Sequence, residues 1–299
     1  MRVKIECPIN FLQVQDINVI LDSLGYTLDS KDPECIVVNP GTDIFLGEDY
    51  FSHYENLKIV GTPSTGVNHL DVDYLNNRNI AAKCLLDNRN VLENIHASAE
   101  FTWLHIMNAF RKFIPAVNNV EKWREDGNES LLRSNELAGK TIGIIGLGRI
   151  GRKIAKYAKA FNMNVEYYDP YVDNCQYKRV FSLTNLQNVD ILCISCYLTE
   201  ETRGLIGGGI LDDFKQGLVV VNTSRGEVVD EEYIYNLIIK DKIFYSCDVL
   251  CGEQNINMLK KSKLLNLDRD NIVITPHVAG ATVESQTKAL RGILELCIK

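Results

Sequence analysis

The sequence contains no long hydrophobic run. No stretch approaches the roughly 20 apolar residues that a membrane-spanning helix needs. The first seven residues alternate between apolar and polar, as a short strand does, and they lack the apolar core of a secretion signal. We therefore expect a soluble protein that stays in the cytoplasm.

Positive charge is also scarce. Lys and Arg together number 32 against 39 Asp and Glu, so the formal net charge is −7. Binding to nucleic acid or to an anionic membrane needs clustered Lys and Arg, and this balance disfavours both. A negatively charged substrate would need a local positive site of its own.

Cysteine is present, but without a second Cys or His pair that could complete a metal site. Cys247 and Cys251 are four residues apart, and no other pair follows at the spacing that zinc sites use. The nine cysteines are odd in number and scattered, so we interpret them as reduced thiols. We expect no metal.

Internal repeats, low-complexity tracts and Pro/Ser-rich linkers are absent as well, and short apolar runs alternate with helical patterns. The runs predict strands at 2–6, 35–38, 57–60, 79–83, 141–145, 164–168, 190–195, 218–222, 244–248 and 272–275. The helical patterns predict helices at 12–24, 97–113 and 282–299. The length of 299 residues suggests two domains, and the alternation favours α/β domains with largely parallel sheets.

A glycine-rich turn joins the predicted strand 141–145 to a helical stretch. It reads Gly146-Leu-Gly148-Arg149-Ile150-Gly151. In such a turn the first glycine allows the tight bend, the second lets backbone approach a pyrophosphate, and the third lets the helix pack close to the strand. The helix N-terminus then offers free N–H groups to the phosphates. The pattern predicts a dinucleotide-binding domain.

The choice of dinucleotide depends on an acidic residue after the next predicted strand. Asp169 closes strand 164–168, 18 residues beyond Gly151. A carboxylate at this distance accepts hydrogen bonds from the adenosine ribose hydroxyls and repels the 2′-phosphate of NADP. No Arg or Lys occurs at 170–174 to receive that phosphate. The cofactor predicted from these residues is NAD.

Six further segments resemble signatures of the D-isomer-specific 2-hydroxyacid dehydrogenase family, whose members include phosphoglycerate, glyoxylate/hydroxypyruvate and D-lactate dehydrogenases. They are residues 61–71, 97–103, 198–202, 222–230, 248–253 and 275–280, in the family's order over nearly the whole chain. The resemblance implies an α/β fold of two Rossmann-like domains, in which a doubly wound, parallel-sheet NAD domain is inserted in a smaller flavodoxin-like substrate domain. We place the substrate-binding domain at 1–91, completed by 282–299, and the NAD-binding domain at 92–281.

The implied activity is hydride transfer between NAD(H) and a small 2-hydroxy or 2-keto acid of D configuration, with Arg225, Glu253 and His277 as catalytic residues. Arg225 and His277 each follow an apolar strand, at the end where open α/β sheets bind ligands. A guanidinium can hold a substrate carboxylate through two hydrogen bonds, and an imidazole can give or take the proton. Glu253 would orient His277 and stabilise its charged form. Without the motifs, each would be interpreted as a surface or loop residue.

The resemblance also implies the other site residues. Cofactor contacts are expected at Thr102, Gly146, Gly148, Arg149, Ile150, Gly151, Asp169, Cys196, Thr202, Thr223, Asp248 and Gly280. The substrate carboxylate is expected at Arg225 and at the backbone N–H groups of a small loop, Ser64, Thr65 and Gly66. We interpret the other four histidines (His53, His69, His96 and His105) as packing or surface residues.

The sequence departs from the family pattern in two places and leaves the substrate side chain open. Tyr197 and Gln254 stand where many members have proline. Members that act on phosphoglycerate tend to carry basic residues after the strand at 35–38, whereas residues 39–43 include no Lys or Arg. Unphosphorylated acids are therefore favoured over 3-phosphoglycerate.

Two other readings stay open at this point. Transcriptional corepressors that resemble the family keep the fold and bind NAD, yet act through partners. Oxidation of another small acid is the second alternative: formate is disfavoured because the formate enzymes carry Gln at the position of Glu253, and phosphite is not excluded. By resemblance the protein is expected to be a homodimer.

Overall fold

A computed structural model of the chain describes residues 1–7, 14–39, 45–67, 69–123, 125, 127–173, 176–253 and 255–298. The chain divides into two compact units. The first comprises Met1–Ile95 together with Gly280–Lys299, and the second comprises His96–Ala279. In the described part of the chain, no helix is long and apolar enough to cross a membrane. The same residues contain no group of three or more Cys, His, Asp or Glu side chains that could hold a metal ion.

The first unit is a five-stranded parallel sheet with helices on it. Its elements in chain order are β1 (Arg2–Glu6), α1 (Val14–Ser23), β2 (Thr27–Leu28), β3 (Cys35–Val38), α2 (Glu48–Phe51), β4 (Ile59–Thr62), α3 (Val72–Asn77), β5 (Ala81–Cys84) and α4 (Arg89–Glu93), closed by the last helix of the chain. The strand order is β2-β1-β3-β4-β5, and every pair is parallel.

The sheet of the first unit is buried on both faces, as parallel sheets with crossover helices are. Along β3 the side chains alternate between two cores: Cys35 and Val37 belong to one, and Ile36 and Val38 to the other. The last helix supplies Ile293 and Leu294 to the first of these cores. Residues at the end of the chain therefore complete a core that the first residues begin.

The second unit is built on a seven-stranded parallel sheet. Its elements are α5 (Ala97–Arg111), α6 (Phe113–Asn118), α7 (Asn128–Leu132), β6 (Thr141–Ile145), α8 (Arg149–Ala160), β7 (Asn164–Tyr168), β8 (Lys178–Val180), β9 (Ile191–Ile194), β10 (Leu218–Asn222), α9 (Glu231–Ile239), β11 (Ile243–Cys247), α10 (Ile256–Leu259) and β12 (Ile272–Ile274); helix α11 (Val283–Ile298) belongs to the first unit. The strand order is β12-β11-β10-β9-β6-β7-β8. The order reverses between β6 and β9, which is the switch point at which such sheets bind ligands.

The interior strands of this sheet are apolar because helices cover both faces. All five residues of β10 are buried; Val219 and Val221 pack in one core, while Leu218 and Val220 pack in the other. The outermost strand, β8, is different: its Lys178 Nζ lies 2.8 Å from Glu166 Oε1 on β7. A doubly wound α/β fold was predicted from the sequence, and the structure confirms it.

The predicted elements differ from the structure in three respects. The helix predicted at 97–113 ends at Arg111, because Lys112 takes a left-handed conformation with φ of 52° and a second helix begins at Phe113. The strands predicted at 57–60 and 79–83 lie slightly later, at Ile59–Thr62 and Ala81–Cys84. β2 and β8 were not predicted, since one has only two residues and the other begins with Lys and Arg. Residues 12 and 13 of the first predicted helix, and residues 40–43 of the loop used to rank substrates, lie outside the described residues.

Candidate active site

The glycine-rich turn between β6 and α8 leaves no room for side chains at two of its three glycines. Gly146 has φ of 88°, and a Cβ there would lie 2.8 Å from backbone N and Cα of Cys196, just after β9. A Cβ on Gly151 would lie 2.2 Å from the carbonyl oxygen of Gly146. The turn therefore packs directly against the neighbouring strand end at the switch point of the sheet.

The middle glycine of the turn, Gly148, faces open space, which is what a phosphate would need. No atom lies within 4 Å of the position that a Cβ on Gly148 would take. Gly148, which has no side chain, is the N-cap of α8. The first N–H groups of a helix have no partners within the helix and attract an anion. These residues thus fit the pyrophosphate of a dinucleotide.

Asp169 is fixed by backbone donors at the end of β7. Its Oδ2 accepts a hydrogen bond from Leu147 N at 2.8 Å, and its Oδ1 accepts from Tyr171 N and Val172 N at 2.9 and 3.1 Å. A carboxylate offers about four acceptor positions, so one remains on Oδ2 for a ligand hydroxyl. The side chain that was predicted to bind ribose is therefore tied to the glycine turn itself.

Three predicted cofactor contacts are threonines whose hydroxyls are already engaged. Thr102 is fully buried; its hydroxyl donates to Ser98 O at 2.6 Å and lies 2.6 Å from the hydroxyl of Thr223, which follows β10. Thr202 donates to Tyr197 O at 2.6 Å. Because Thr102 gives its hydrogen to Ser98, Thr223 donates to Thr102, and the hydroxyl hydrogens of all three threonines are used inside the protein.

Arg225 lies just after β10 on a loop held by a buried asparagine. Asn222 Oδ1 accepts from Ser224 N at 3.1 Å, and Asn222 Nδ2 donates to Arg225 O at 2.9 Å. One guanidinium nitrogen of Arg225 donates to Ser224 O at 2.7 Å. No carboxylate among the described residues forms an ion pair with this half-buried guanidinium. Its charge remains available to an anionic ligand.

The Arg225 loop is in close backbone contact with the loop that carries Glu253. A Cβ on Gly226 would lie 2.0 Å from the carbonyl carbon of Leu250, which no side chain could tolerate. Glu253 Oε2 accepts a hydrogen bond from Leu250 N at 3.1 Å, and this bond closes the loop on itself. Close backbone contact therefore brings the segment after β10 to the segment after β11.

Glu253 and His277 form the central pair of the site. Glu253 Oε1 lies 2.5 Å from His277 Nδ1, and the two side chains are 15% and 42% exposed. His277 has a left-handed backbone with φ of 52°, and its N–H is directed at Asp248 O, 2.9 Å away. Because Nδ1 is occupied by Glu253, the other ring nitrogen, Nε2, is the one that can exchange a proton.

The surroundings of His277 favour its charged form. The hydrogen bond that His277 donates to Glu253 raises the pKa of the imidazole, burial opposes this, and the charge of Glu253 adds to the rise. Arg225 lowers the pKa through its positive charge and Asp248 raises it, so both charges act on the ring. The net pKa is above the ordinary value of 6.5.

Asp248 organises the turn that carries His277. Its Oδ1 accepts from Thr275 Oγ1 at 2.5 Å and from Val278 N at 3.0 Å, while Oδ2 accepts from Ala279 N at 2.8 Å. The residue is 1% exposed. Three of its acceptor positions are thus used inside the protein, and a contact with the nicotinamide, as predicted, would have to use the remaining position.

The predicted carboxylate loop belongs to the first unit, at the end of β4. Ser64 donates to Gly66 O at 2.5 Å and also accepts a longer bond, 3.4 Å, from Gly66 N. The carbonyl of Ser64 accepts from Leu85 N, which fixes the loop to the end of β5. Gly280 also falls in the first unit, where its carbonyl accepts from Ser285 Oγ at 2.5 Å.

Sequence reasoning gave no role to two buried polar residues, Asn222 and His105. Asn222 stood in a recognised segment, but only its contacts show that it holds the Arg225 loop. His105 was interpreted as a packing or surface residue; it is 2% exposed, and both ring nitrogens are hydrogen-bonded, to Ser246 and Thr275. Its position on the buried face of α5, with Thr102, Ile106 and Ala109, was the available signal.

Comparison with known proteins identifies the family of the chain. The sequence model described as D-isomer specific 2-hydroxyacid dehydrogenase, NAD binding domain, matches residues 103–279. The fold and the match define a nucleotide-binding oxidoreductase class. The chain belongs to the family of D-isomer specific 2-hydroxyacid dehydrogenases, and its second unit contains the family's NAD-binding domain.

Individual relatives are similar over most of the chain. The D-3-phosphoglycerate dehydrogenase of Archaeoglobus fulgidus is 33% identical over 258 residues, covering 85% of this chain and 46% of that protein. The hydroxypyruvate reductase of Thermotoga maritima is 30% identical over 275 residues, covering 89% of this chain and 84% of that protein. The chain thus spans about half the length of the first of these relatives, and most of the second.

Solved structures give the same fold. D-Lactate dehydrogenase from Aquifex aeolicus, complexed with NAD and lactic acid, matches with a TM-score of 0.76 and 27% identity, covering all of this chain and 93% of that one. D-2-Hydroxyisocaproate dehydrogenase matches with a TM-score of 0.82 at 20% identity, covering all of this chain and 96% of that one. The second of these likenesses bears on the fold alone.

Proposed function

We propose that the protein is an NAD-dependent D-2-hydroxyacid dehydrogenase. The observation that carries the proposal is the Glu253–His277 pair at 2.5 Å, joined to the Arg225 loop by the close contact at Gly226. Family membership and the glycine turn at the switch point support NAD as the cofactor. When bound, NADH supplies the hydride that reduces a 2-keto acid.

His277 is the acid and base of this reaction. In reduction, protonated His277 gives the proton on Nε2 to the carbonyl oxygen of the keto acid, which becomes the hydroxyl of the product. In oxidation, neutral His277 takes the hydroxyl proton. Glu253 accepts the hydrogen bond from Nδ1 and stabilises the imidazolium, which is present before reduction and after oxidation. The raised pKa favours the proton-donating form of the ring.

Arg225 binds and polarises the substrate. Its guanidinium presents a rigid fork of donors that suits a carboxylate, and no described carboxylate competes for it. The backbone N–H groups of Ser64, Thr65 and Gly66, in the substrate-binding domain predicted at 1–91 and 282–299, would bind the same substrate carboxylate. Gly148, Asp169 and the neighbouring cofactor residues would hold the dinucleotide.

The test is a panel of 2-keto acids assayed with NADH and purified protein, followed by the loss of NADH absorbance. We expect turnover of at least one acid and a product of D configuration. His277→Ala should be inactive on the same acid while it still binds NADH. Binding of NADH without turnover of any acid would overturn the proposal and favour a protein that acts through partners, as the corepressors do.

Two finer proposals concern the substrate and the assembly. Because residues 39–43 contain no Lys or Arg, we expect glyoxylate or hydroxypyruvate to be reduced with a higher kcat/KM than 3-phosphohydroxypyruvate. 3-Phosphohydroxypyruvate is included in the comparison because one relative is named D-3-phosphoglycerate dehydrogenase. The reverse order would show that the phosphate is recognised by other residues.

We propose a homodimer formed through the second unit. Several large apolar side chains are exposed along one stretch after α5: Phe113, Val117, Val120, Trp123 and Leu131. Exposed apolar side chains that lie close together usually mark an association site, and these five are close in sequence. Light scattering should give twice the mass of the chain for the parent protein and a smaller mass for Trp123→Glu. A monomeric parent would contradict the proposal.

A further inference from the structure

A continuous chain of hydrogen bonds runs through the interior of the second unit and ends at the His277 turn. His105 Nδ1 lies 2.7 Å from Ser246 Oγ on β11, and His105 Nε2 lies 3.0 Å from Thr275 Oγ1, just after β12. Thr275 Oγ1 in turn donates to Asp248 Oδ1 at 2.5 Å. Helix α5 is thus connected to the turn by polar contacts as well as by packing.

The donor and the acceptor of each hydrogen bond in this series follow from Asp248, the residue at its end. An ionised carboxylate only accepts, so Thr275 gives its single hydroxyl hydrogen to Asp248. Thr275 must then accept from His105, and the hydrogen of the ring lies on Nε2. The described contacts give the hydroxyl of Ser246 no other partner, so its hydrogen has an acceptor only if Nδ1 carries none. All the groups are satisfied only when His105 is neutral and in this tautomer.

Burial agrees with a neutral ring. His105 is 2% exposed, and Ser246 is fully buried. Desolvation lowers the pKa of His105, and the charge of Asp248 is the opposing influence. A buried polar group that is fully hydrogen-bonded fixes its partners firmly, whereas the same group with a missing partner is costly. The described contacts leave neither ring nitrogen without a partner.

We propose that His105 is a positioning residue for the candidate acid/base: through Thr275 and Asp248 it holds the 275–279 turn so that the ring of His277 meets Glu253. The role assigned to His277 rests on the proposed function, but the alignment of its ring does not. Asp248 bonds to Thr275, Val278 and Ala279 at once, and its carbonyl receives the N–H of His277. A carboxylate that is held in one orientation therefore holds the whole turn.

The experiment follows the two rings directly, in protein labelled with ¹⁵N-histidine. In the parent, His105 should be neutral with its hydrogen on Nε2, and a hydrogen on Nδ1 or a charged ring at neutral pH would overturn the proposal. The groups that act on His277 are Glu253 and Asp248 after β11 and Arg225 after β10; Asp248 also acts on His105. None of these is changed in the variants below.

In His105→Leu the turn loses its support and the contact with Glu253 loosens. The pKa of His277 should then fall toward 6.5, and kcat for keto-acid reduction should fall roughly threefold to tenfold. The Kd for NADH should change little. His105→Gln should restore most of both values, because its amide can still donate to Thr275.

The double variant shows whether the effect passes through Thr275. In Thr275→Val the hydroxyl is lost, so the further change His105→Leu should move the pKa of His277 no more. Thr275→Ser, which keeps the hydroxyl, should behave like the parent. An unchanged His277 pKa in His105→Leu, or an equal shift in the two backgrounds, would reduce His105 to a packing residue.

The matched control is Ile106→Val, on the next residue of α5 and fully buried. It should lower the melting temperature without moving the pKa of His277. If His105→Leu does not fold, Thr275→Val against Thr275→Ser tests the same link by the tautomer of His105 and the pKa of His277. If no keto acid is turned over, the proposed function fails, while these ring titrations still decide the role of His105.

Discussion

Gly226 lies so close to Leu250 that a single added carbon at Gly226 would overlap the Leu250 carbonyl carbon, at 2.0 Å. This contact sets the distance between the loop of Arg225 and the loop of Glu253. The atoms nearest to this position are backbone atoms of Leu250 and Cys251, so a change of side-chain rotamer could not make room for the added carbon. The spacing between the proposed substrate clamp, Arg225, and Glu253, the partner of the proposed acid/base, is thus set by the main chain.

Gly226→Ala should therefore separate the two loops. We expect a loss of about 1–3 kcal/mol in the free energy of unfolding, together with a large loss of kcat/KM. The control is Gly143→Ala in β6, where an added carbon meets only side-chain atoms of Leu186 and Val189, at 3.2 Å. Chemical denaturation and steady-state kinetics measure both effects. Parent-like kinetics in Gly226→Ala would show that the contact does not set the site.

Arg225→Lys keeps the charge but loses the rigid fork. We expect kcat/KM for keto-acid reduction to fall at least about tenfold, or 1.4 kcal/mol of transition-state stabilisation. The affinity for NADH should barely change. Arg291→Lys, an exposed arginine that pairs with Glu295, is the control for the same substitution at the surface. Unaltered turnover in Arg225→Lys would remove Arg225 from the site.

The pH dependence of turnover should report the Glu253–His277 pair. Since the pKa of His277 is raised, reduction should persist above pH 6.5 and fall as the pH rises through the raised value, and oxidation should rise over the same range. Glu253→Gln keeps the shape and removes the charge, so both limbs should move to lower pH. The measurement is the rate of turnover against pH in each direction. Deuterated NADH confirms that hydride transfer limits the rate.

Glu232→Gln, at an exposed carboxylate paired with Lys263, is the matched change of charge. It should leave both limbs in place. The pair should also affect stability: its contribution is full below the unfolded pKa of about 6.5 and is lost as the pH rises through the raised folded value. If Glu253→Gln leaves the reduction limb unmoved, Glu253 does not tune His277.

Cofactor preference should depend on Asp169. We expect the parent to prefer NADH strongly over NADPH, and Asp169→Asn to narrow the preference mainly by weakening NADH binding. Asn cannot replace a carboxylate that accepts three backbone N–H groups, so some loss of stability should accompany the change. Asp173→Asn, at an exposed carboxylate on the same loop, is the control. Nucleotide fluorescence gives both Kd values; equal affinities in the parent would contradict the role.

The sequence was sufficient to predict those elements whose structure depends on neighbouring residues along the chain. Strands such as β6 and β10 are unbroken apolar runs, and the glycine turn combines tight bending with close packing in six residues. The break between α5 and α6 was not predictable, because Lys112 has no propensity that signals a left-handed residue. The bonds of His105 depend on partners 141 and 170 residues away, and no local pattern encodes them.

The charged edge of the larger sheet has a consequence for solubility. β8 is an outer strand, and an outer strand offers unpaired backbone groups to any other chain that can add to it. Here Lys178 and Arg179 occupy two of its three positions, and Lys178 is neutralised only from within, by Glu166. In the smaller sheet, the outer strand β2 has just two residues, which is too short for a second chain to pair with. Both devices discourage another chain from adding to these two edges.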